Sequence, residues 1–208
     1  MIGGGNMDKI LMVMAHPDDE VIFGWPILAD TKWDCYILIV SENKHGVRGV
    51  RALREVCELN KAHYVDASRI PNNYYRLPPR STGDALPQAI QTLNQQIENA
   101  CCQINPQYIF THNPWGEYGH GDHRMLFDLV ALTRLPIIIS DIYQPNECHI
   151  SFNRMPPIYA RWLEMSMLKS HRSLDIEWYR RMKAIYDKHQ AWSWDGHEVT
   201  QECYLYQF

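Results

Sequence analysis

Short, nearly continuous apolar runs recur along this chain: Lys9 to Ala15, Asp34 to Ser41, Gln107 to Thr111 and Pro136 to Ser140. That pattern predicts strands buried on both faces of a parallel sheet rather than half-exposed ones. Ala62 to Val65 predicts a further short strand. Between the runs the apolar period lengthens. Arg48 to Lys61 reads as a helix with one charged face, and a second helix is expected from a cap at Asp84 to about Gln103, with Leu86, Ile90, Leu93 and Ile97 on one face. His123 to Thr133 and Leu174 to about Gln190 predict two more. A helix should also follow the first strand, begun or kinked by Pro26. The alternation predicts an α/β fold with a mostly parallel central sheet and helices on both faces, although beyond Asp141 the periodicity degrades except for the last helix. At 208 residues, a single domain spanning 1–208 is expected.

The first run ends in His16-Pro17-Asp18-Asp19-Glu20, and open α/β sheets bind ligands just beyond the carboxyl ends of their strands. His16 and Asp19 are three residues apart, with Pro17 restricting the turn, so they can aim at one point as two ligands of one metal. Asp18 lies between them and points elsewhere, which leaves its carboxylate to act on a water at that metal. The competing reading is a set of acids favoured by a helix N-terminal dipole. The run at 107–111 leads into His112-Asn-Pro-Trp-Gly-Glu-Tyr-Gly-His-Gly-Asp-His-Arg124, a loop by composition, in which His120 and His123 repeat the three-residue spacing. Two such clusters at two strand ends favour the metal. A His, Asp, His set suits zinc with one position open, and one histidine remains for proton transfer.

Ala15-His-Pro-Asp-Asp-Glu20 together with His120-Gly-Asp-His123 resembles the zinc-dependent deacetylases of the LmbE-like family, related to N-acetylglucosaminyl-phosphatidylinositol deacetylase (PIG-L), over the chain up to about residue 190. The resemblance implies a Rossmann-like three-layer fold. It also implies zinc, or another divalent metal such as iron, on His16, Asp19 and His123, with Asp18 as general base. His120 would protonate the leaving amine or support the transition state, oriented by Asp122, while Tyr118 helps hold the carbonyl oxygen. Substrate would be an N-acetylated sugar or its glycoconjugate, losing acetate. An arginine after the second strand would contact it; Arg48, Arg51 and Arg54 compete for that role, and Arg51 is taken. Gly121 stands where the family often has Pro. The usual glycine-rich segment is Val21-Ile-Phe-Gly-Trp-Pro26 here, so Trp25 is expected to narrow or line the pocket. His189 resembles a histidine that closes over the pocket in some relatives, or caps a helix end through the dipole. A metal amidase acting on a non-sugar amide, or a non-catalytic binding protein, are the alternatives.

Charge excludes some partners. A net charge of −4 without a basic run argues against a nucleic-acid groove or an anionic membrane patch. With 46% apolar residues the composition is that of a globular domain, and no transmembrane segment is expected. The cysteines show no metal-knuckle spacing and no signal peptide precedes the first strand, so a cytoplasmic chain with reduced thiols is expected, as a monomer or a homo-oligomer. The loop from Ser68 to Gly83, with Tyr74, Tyr75 and Arg76, and Trp115 are candidates to shape the acceptor pocket.

Overall fold

The computed structural model describes residues 7–41, 44–67, 85–142, 168–194 and 199–208. In chain order its elements are β1 (Asp8–Met14), α1 (Asp19–Ile22), α2 (Trp25–Leu28), β2 (Trp33–Ile39), α3 (Val47–Asn60), β3 (His63–Val65), α4 (Ala85–Ile104), β4 (Tyr108–Thr111), α5 (Gly121–Ala131), β5 (Ile137–Ser140), β6 (Leu168–Ser173), α6 (Ile176–Lys188) and β7 (Glu202–Gln207). The strands form one seven-stranded sheet in the order β3-β2-β1-β4-β5-β7-β6.

β1 lies inside the sheet because its residues from Ile10 to Met14 have no polar side to offer solvent. It pairs in parallel with β2 through Ile10↔Cys35 and Met12↔Ile37, and with β4 through Ile10↔Tyr108 and Met12↔Phe110. Successive side chains on a strand point to opposite faces, and here the alternation divides the core in two. Ile10, Met12 and Met14 pack with residues of α1, α2, α3 and α6; Leu11, Val13 and Ala15 pack with residues of α4 and α5. The result is a three-layer α/β arrangement. From β1 the chain steps outward to β2 and β3, then returns to place β4 on the other side of β1. The carboxyl ends of β1 and β4 therefore flank a topological switch point, the crevice where open α/β sheets seat ligands.

Two local features differ from the sequence expectation. The helix after β1 is divided into two four-residue pieces, α1 and α2, with Pro26 in the first turn of the second. Gly24 joins them, and a Cβ there would lie 2.7 Å from the Glu20 carbonyl oxygen, so the close approach of the two pieces excludes any side chain. The sheet also ends in two strands the periodicity did not show: β7 runs antiparallel to β5, and β6 antiparallel to β7. The loop from Ser68 to Gly83 and the cap expected at Asp84 lie outside the described residues. No helix among the described residues is long and apolar enough to cross a membrane.

The central strand should carry much of the stability. Leu11 is fully buried, whereas Leu132 is 66% exposed. In urea denaturation, Leu11→Ala should cost about 2–5 kcal/mol, and Leu132→Ala should stay within about 0.5 kcal/mol of the parent.

Candidate metal centre

The turn after β1 is built by backbone and side chain together. Asp18 caps α1 in a left-handed conformation, with φ of 100°, a region that costs a non-glycine residue energy and that clusters at functional sites. Its carbonyl accepts hydrogen bonds from the Val21 and Ile22 amides. Asp19 folds back on the strand end: its Oδ2 accepts the His16 amide at 2.8 Å and lies 3.2 Å from His16 Nδ1. His16 and Asp19 thus face one point. Asp18 faces another, its Oδ2 accepting from both the amide, at 2.9 Å, and the hydroxyl of Ser193.

The loop after β4 is shaped around Glu117. Its amide donates to Asn113 Oδ1 at 2.7 Å, and its Oε1 accepts the Asn113 amide at 3.1 Å. The turn needs Gly116, whose φ is +72° and whose missing Cβ would meet the His120 carbonyl oxygen at 2.5 Å. Glu117 Oε2 then accepts from two imidazoles, His112 Nδ1 at 3.2 Å and His123 Nδ1 at 2.6 Å. His112 and His123 stack with centroids 3.7 Å apart. Across the sheet, His112 Nε2 accepts the Ala15 amide at 3.0 Å, which ties the two strand ends together.

These two turns converge on Asp19. Its Oδ2 lies 3.2 Å from His16 Nδ1, 3.4 Å from His112 Nε2 and 3.5 Å from His123 Nε2. Ligand atoms of His16, Asp19 and His123 all fall within 4.8 Å of one another. With Nδ1 donating to Glu117, His123 presents its Nε2 lone pair inward, and that buried nitrogen has no hydrogen-bond partner among the described residues. A carboxylate behind an imidazole that offers its other nitrogen is the usual support of a metal-bound histidine. Two imidazoles and a carboxylate suit a borderline divalent cation, so the residues present fit a metal. His16, His120 and Asp122 form a second close set, as do His112, Glu117 and His123. In the former, however, His120 already uses Nδ1 to accept the Asp122 amide at 3.2 Å as the N-cap of α5.

Electrostatics separate the groups further. Burial would raise Glu117, but His112 and His123 override it and hold the carboxyl down to about 2. Burial would lower His16, but Asp19 and Asp122 raise it to about 10. Burial and the charge of Asp19 push Asp18 well above the ordinary carboxylate range, against the Ser193 hydrogen bonds. Burial, with His123 and His16 adding to it, lowers His120 to about 3.

The remaining expected site residues are distributed unevenly. Tyr118 packs beside His120 and His123, with ring centroids 5.7 and 5.8 Å away. Asp122 reaches His120 through its backbone amide; its carboxylate instead lies 3.2 Å from His16 Nε2. Trp25 sits in the apolar core, 2% exposed, and Trp115 is buried among the residues packed on α4 and α5. His189 closes the end of α6 and bonds Glu55 at 2.9 Å, and Arg51 is exposed on α3, outside the imidazole and carboxylate cluster. The sequence pattern singles out neither Glu117 nor His112. It also missed Ser193, and Tyr186, whose hydroxyl donates to Glu20 Oε1 at 2.6 Å. A glutamate amid three histidines in one loop was the available signal for Glu117; Ser193 had none.

Comparison with known proteins bears on the fold and the family. An uncharacterised protein, L374, of Acanthamoeba polyphaga mimivirus is 26% identical over 144 residues, which take in 65% of this chain and 62% of that protein. The chain therefore spans less than two thirds of the length of that relative. Among solved structures, the deacetylase of the teicoplanin biosynthesis pathway superposes with a TM-score of 0.67 at 10% identity, covering 96% of this chain and 97% of that one. The deacetylase Dbv21, described as acting on the A40926 pseudoaglycone, does so with a TM-score of 0.63 at 14% identity, covering 97% of each chain. At such identities the superpositions speak for the fold. The PIG-L family, described as GlcNAc-PI de-N-acetylase, matches residues 11–133, a shorter span than the motifs implied but more than half of the 208 residues and inclusive of both clusters, and the chain belongs to that family.

Proposed function

We propose that the protein is a zinc-dependent hydrolase that removes the acetyl group from an N-acetylated amino sugar or its conjugate, releasing acetate and a free amine. The observation that carries the reading is the division of labour between adjacent acids. Asp19 joins His16 and His123 in a set with the chemistry of a metal site, while Asp18, one residue away, is turned out of it toward Ser193. A carboxylate so placed is a general base. The family description and the deacetylases of similar fold support an N-acetyl substrate, and one of those structures is described as a zinc-inhibited form of the teicoplanin deacetylase Orf2.

Zinc held by His16, Asp19 and His123 would polarise the acetamide carbonyl and acidify a water. Asp18 accepts the proton of the attacking water as its oxygen bonds to the carbonyl carbon. Because His120 Nδ1 accepts the Asp122 amide, the ring of neutral His120 carries its proton on Nε2. That N–H, with the Tyr118 side chain packed against the same ring, serves the negative oxygen of the tetrahedral intermediate. The C–N bond then breaks, the nitrogen takes up a proton that Asp18 received, and acetate and amine depart. Arg51, Trp25 and His189 were the expected substrate contacts; of these Arg51, exposed on α3, is the one we retain for a bound sugar.

Mass-spectrometric detection of products from N-acetylglucosamine, its glycosides and N-acetylated non-sugar amines tests the substrate class. Loss of the acetyl group from the sugars is expected; turnover confined to the non-sugar amines would replace this reading with that of a general metal amidase.

The purified protein should hold about one divalent ion per chain by elemental analysis, and His16→Ala or His123→Ala should remove most of it. Glu117→Gln should weaken retention against a competing chelator by about 10- to 100-fold, as the loss of a carboxylate behind a ligand histidine does. His120→Ala should retain the metal. Full occupancy in His123→Ala together with loss in His120→Ala would exchange the two histidines' roles.

Asp18→Asn should keep the metal and lose about a hundredfold or more in kcat, since the amide occupies the same volume without accepting a proton. Near-normal turnover by the metal-loaded variant would move the base elsewhere.

A further inference from the structure

We infer that Ser193 is a positioning residue for Asp18, holding one oxygen of the carboxylate so that the other is presented to the attacking water. This rests on the reading of Asp18 as the general base of a deacetylase. Both donors of Ser193, the backbone amide at 2.9 Å and the hydroxyl, reach the same atom, Asp18 Oδ2. Asp18 Oδ1 receives no hydrogen bond among the described residues, and the residue is 1% exposed, so little bulk water is available to orient it. A carboxylate can spend one oxygen on fixed donors and keep the other as an acceptor. Orientation of this kind matters because misplacement of a catalytic group by a fraction of an ångström is felt in the rate.

Ser193 is itself well fixed. It follows α6, and the neighbouring segment is pinned at several points. The Ala191 amide bonds the Tyr186 carbonyl at 2.9 Å, the Trp192 carbonyl lies 3.2 Å from His45 Nε2, and Arg48 donates to Gln190 Oε1 at 3.2 Å. Trp192 and Trp194, on either side of Ser193, are 4% and 9% exposed and anchor the segment in the core. Trp194 also packs edge-on against Phe23 and lies beside Tyr118, which brings the segment to the edge of the metal set. The same part of the chain grips Asp18 a second time, through its backbone. Tyr186 donates to Glu20 Oε1, and Glu20 Oε2 accepts the Asp18 amide at 3.0 Å. The Ser193 hold on Asp18, and the Tyr186 bond that steadies Glu20, both originate beyond residue 133, outside the part of the chain that matches the family. The proton moves as before, from water to Asp18 Oδ1, with Ser193 exchanging none.

The test compares metal-loaded wild-type, Ser193→Ala and Ser193→Thr proteins, using the N-acetylated sugar that the wild type turns over fastest. The carboxyl 13C resonance of Asp18, in protein labelled at the aspartate carboxyls, is identified by its absence in Asp18→Asn. Ser193→Ala should shift that resonance and lower kcat by about tenfold with KM little changed, because the retained amide still gives partial support. Ser193→Thr, which restores the hydroxyl, should recover both. An unshifted resonance in Ser193→Ala, or a wild-type kcat, overturns the positioning role while leaving the deacetylase reading intact. A wild type silent on every acetylated sugar overturns the deacetylase reading and the catalytic role of Ser193 together.

Discussion

The Glu117 carboxylate, buried at the Nδ1 edges of two stacked imidazoles, fixes the candidate metal centre. One oxygen accepts from both His112 and His123, so neither ring can turn without breaking a charge-assisted bond, the one to His123 being short. Each histidine is thereby committed to a tautomer. His112 spends its other nitrogen on the Ala15 amide and knits β4 to β1; His123 keeps its other nitrogen open. A buried carboxylate of this kind is costly alone and is stabilised here by the imidazoles it orients and by the Asn113 amide. Loop shape, strand alignment and ligand direction therefore rest on a single side chain.

Asp18, Asp19 and Glu20 show how far environment separates chemically similar groups. All three are buried. Asp19, facing His123 and His16, is held well below the usual carboxylate range despite its burial; Glu20, where burial outweighs the Tyr186 bond, rises to about 7; Asp18 is raised by burial and by the charge of Asp19. Affinities pushed apart in this way mark different tasks. The first acid faces Ser193, the second faces imidazoles, and the third links the turn to α6.

Legibility in the sequence followed the range of the forces involved. β1, β2, β4 and β5 were visible because strands buried on both faces must be apolar throughout, and His16, Asp19, His120 and His123 were visible because their partners lie three residues away. β6 was not: Leu168-Lys-Ser-His-Arg-Ser173 is an edge strand whose polar residues suit solvent, and its pairing with β7 through Leu168↔Gln207 is not local. Glu117 escaped because its φ of 53° places it on an irregular turn, where no period relates it to His123. Trp25 read as a pocket wall since aromatic residues near a motif invite that reading; the break at Gly24 instead turns it into the core.

Chain order gives one of these contacts a meaning in time. Among the described residues, those suited to a metal lie between positions 16 and 123, so the centre can assemble as soon as β1, β4 and α5 have emerged and folded. The contact that disciplines Asp18 spans 175 residues and waits for α6. During synthesis, which proceeds at about 5–20 residues per second, the nascent protein would pass through a stage able to capture its cation but not yet fitted with an oriented base, and cation capture could precede hydrolytic competence by seconds.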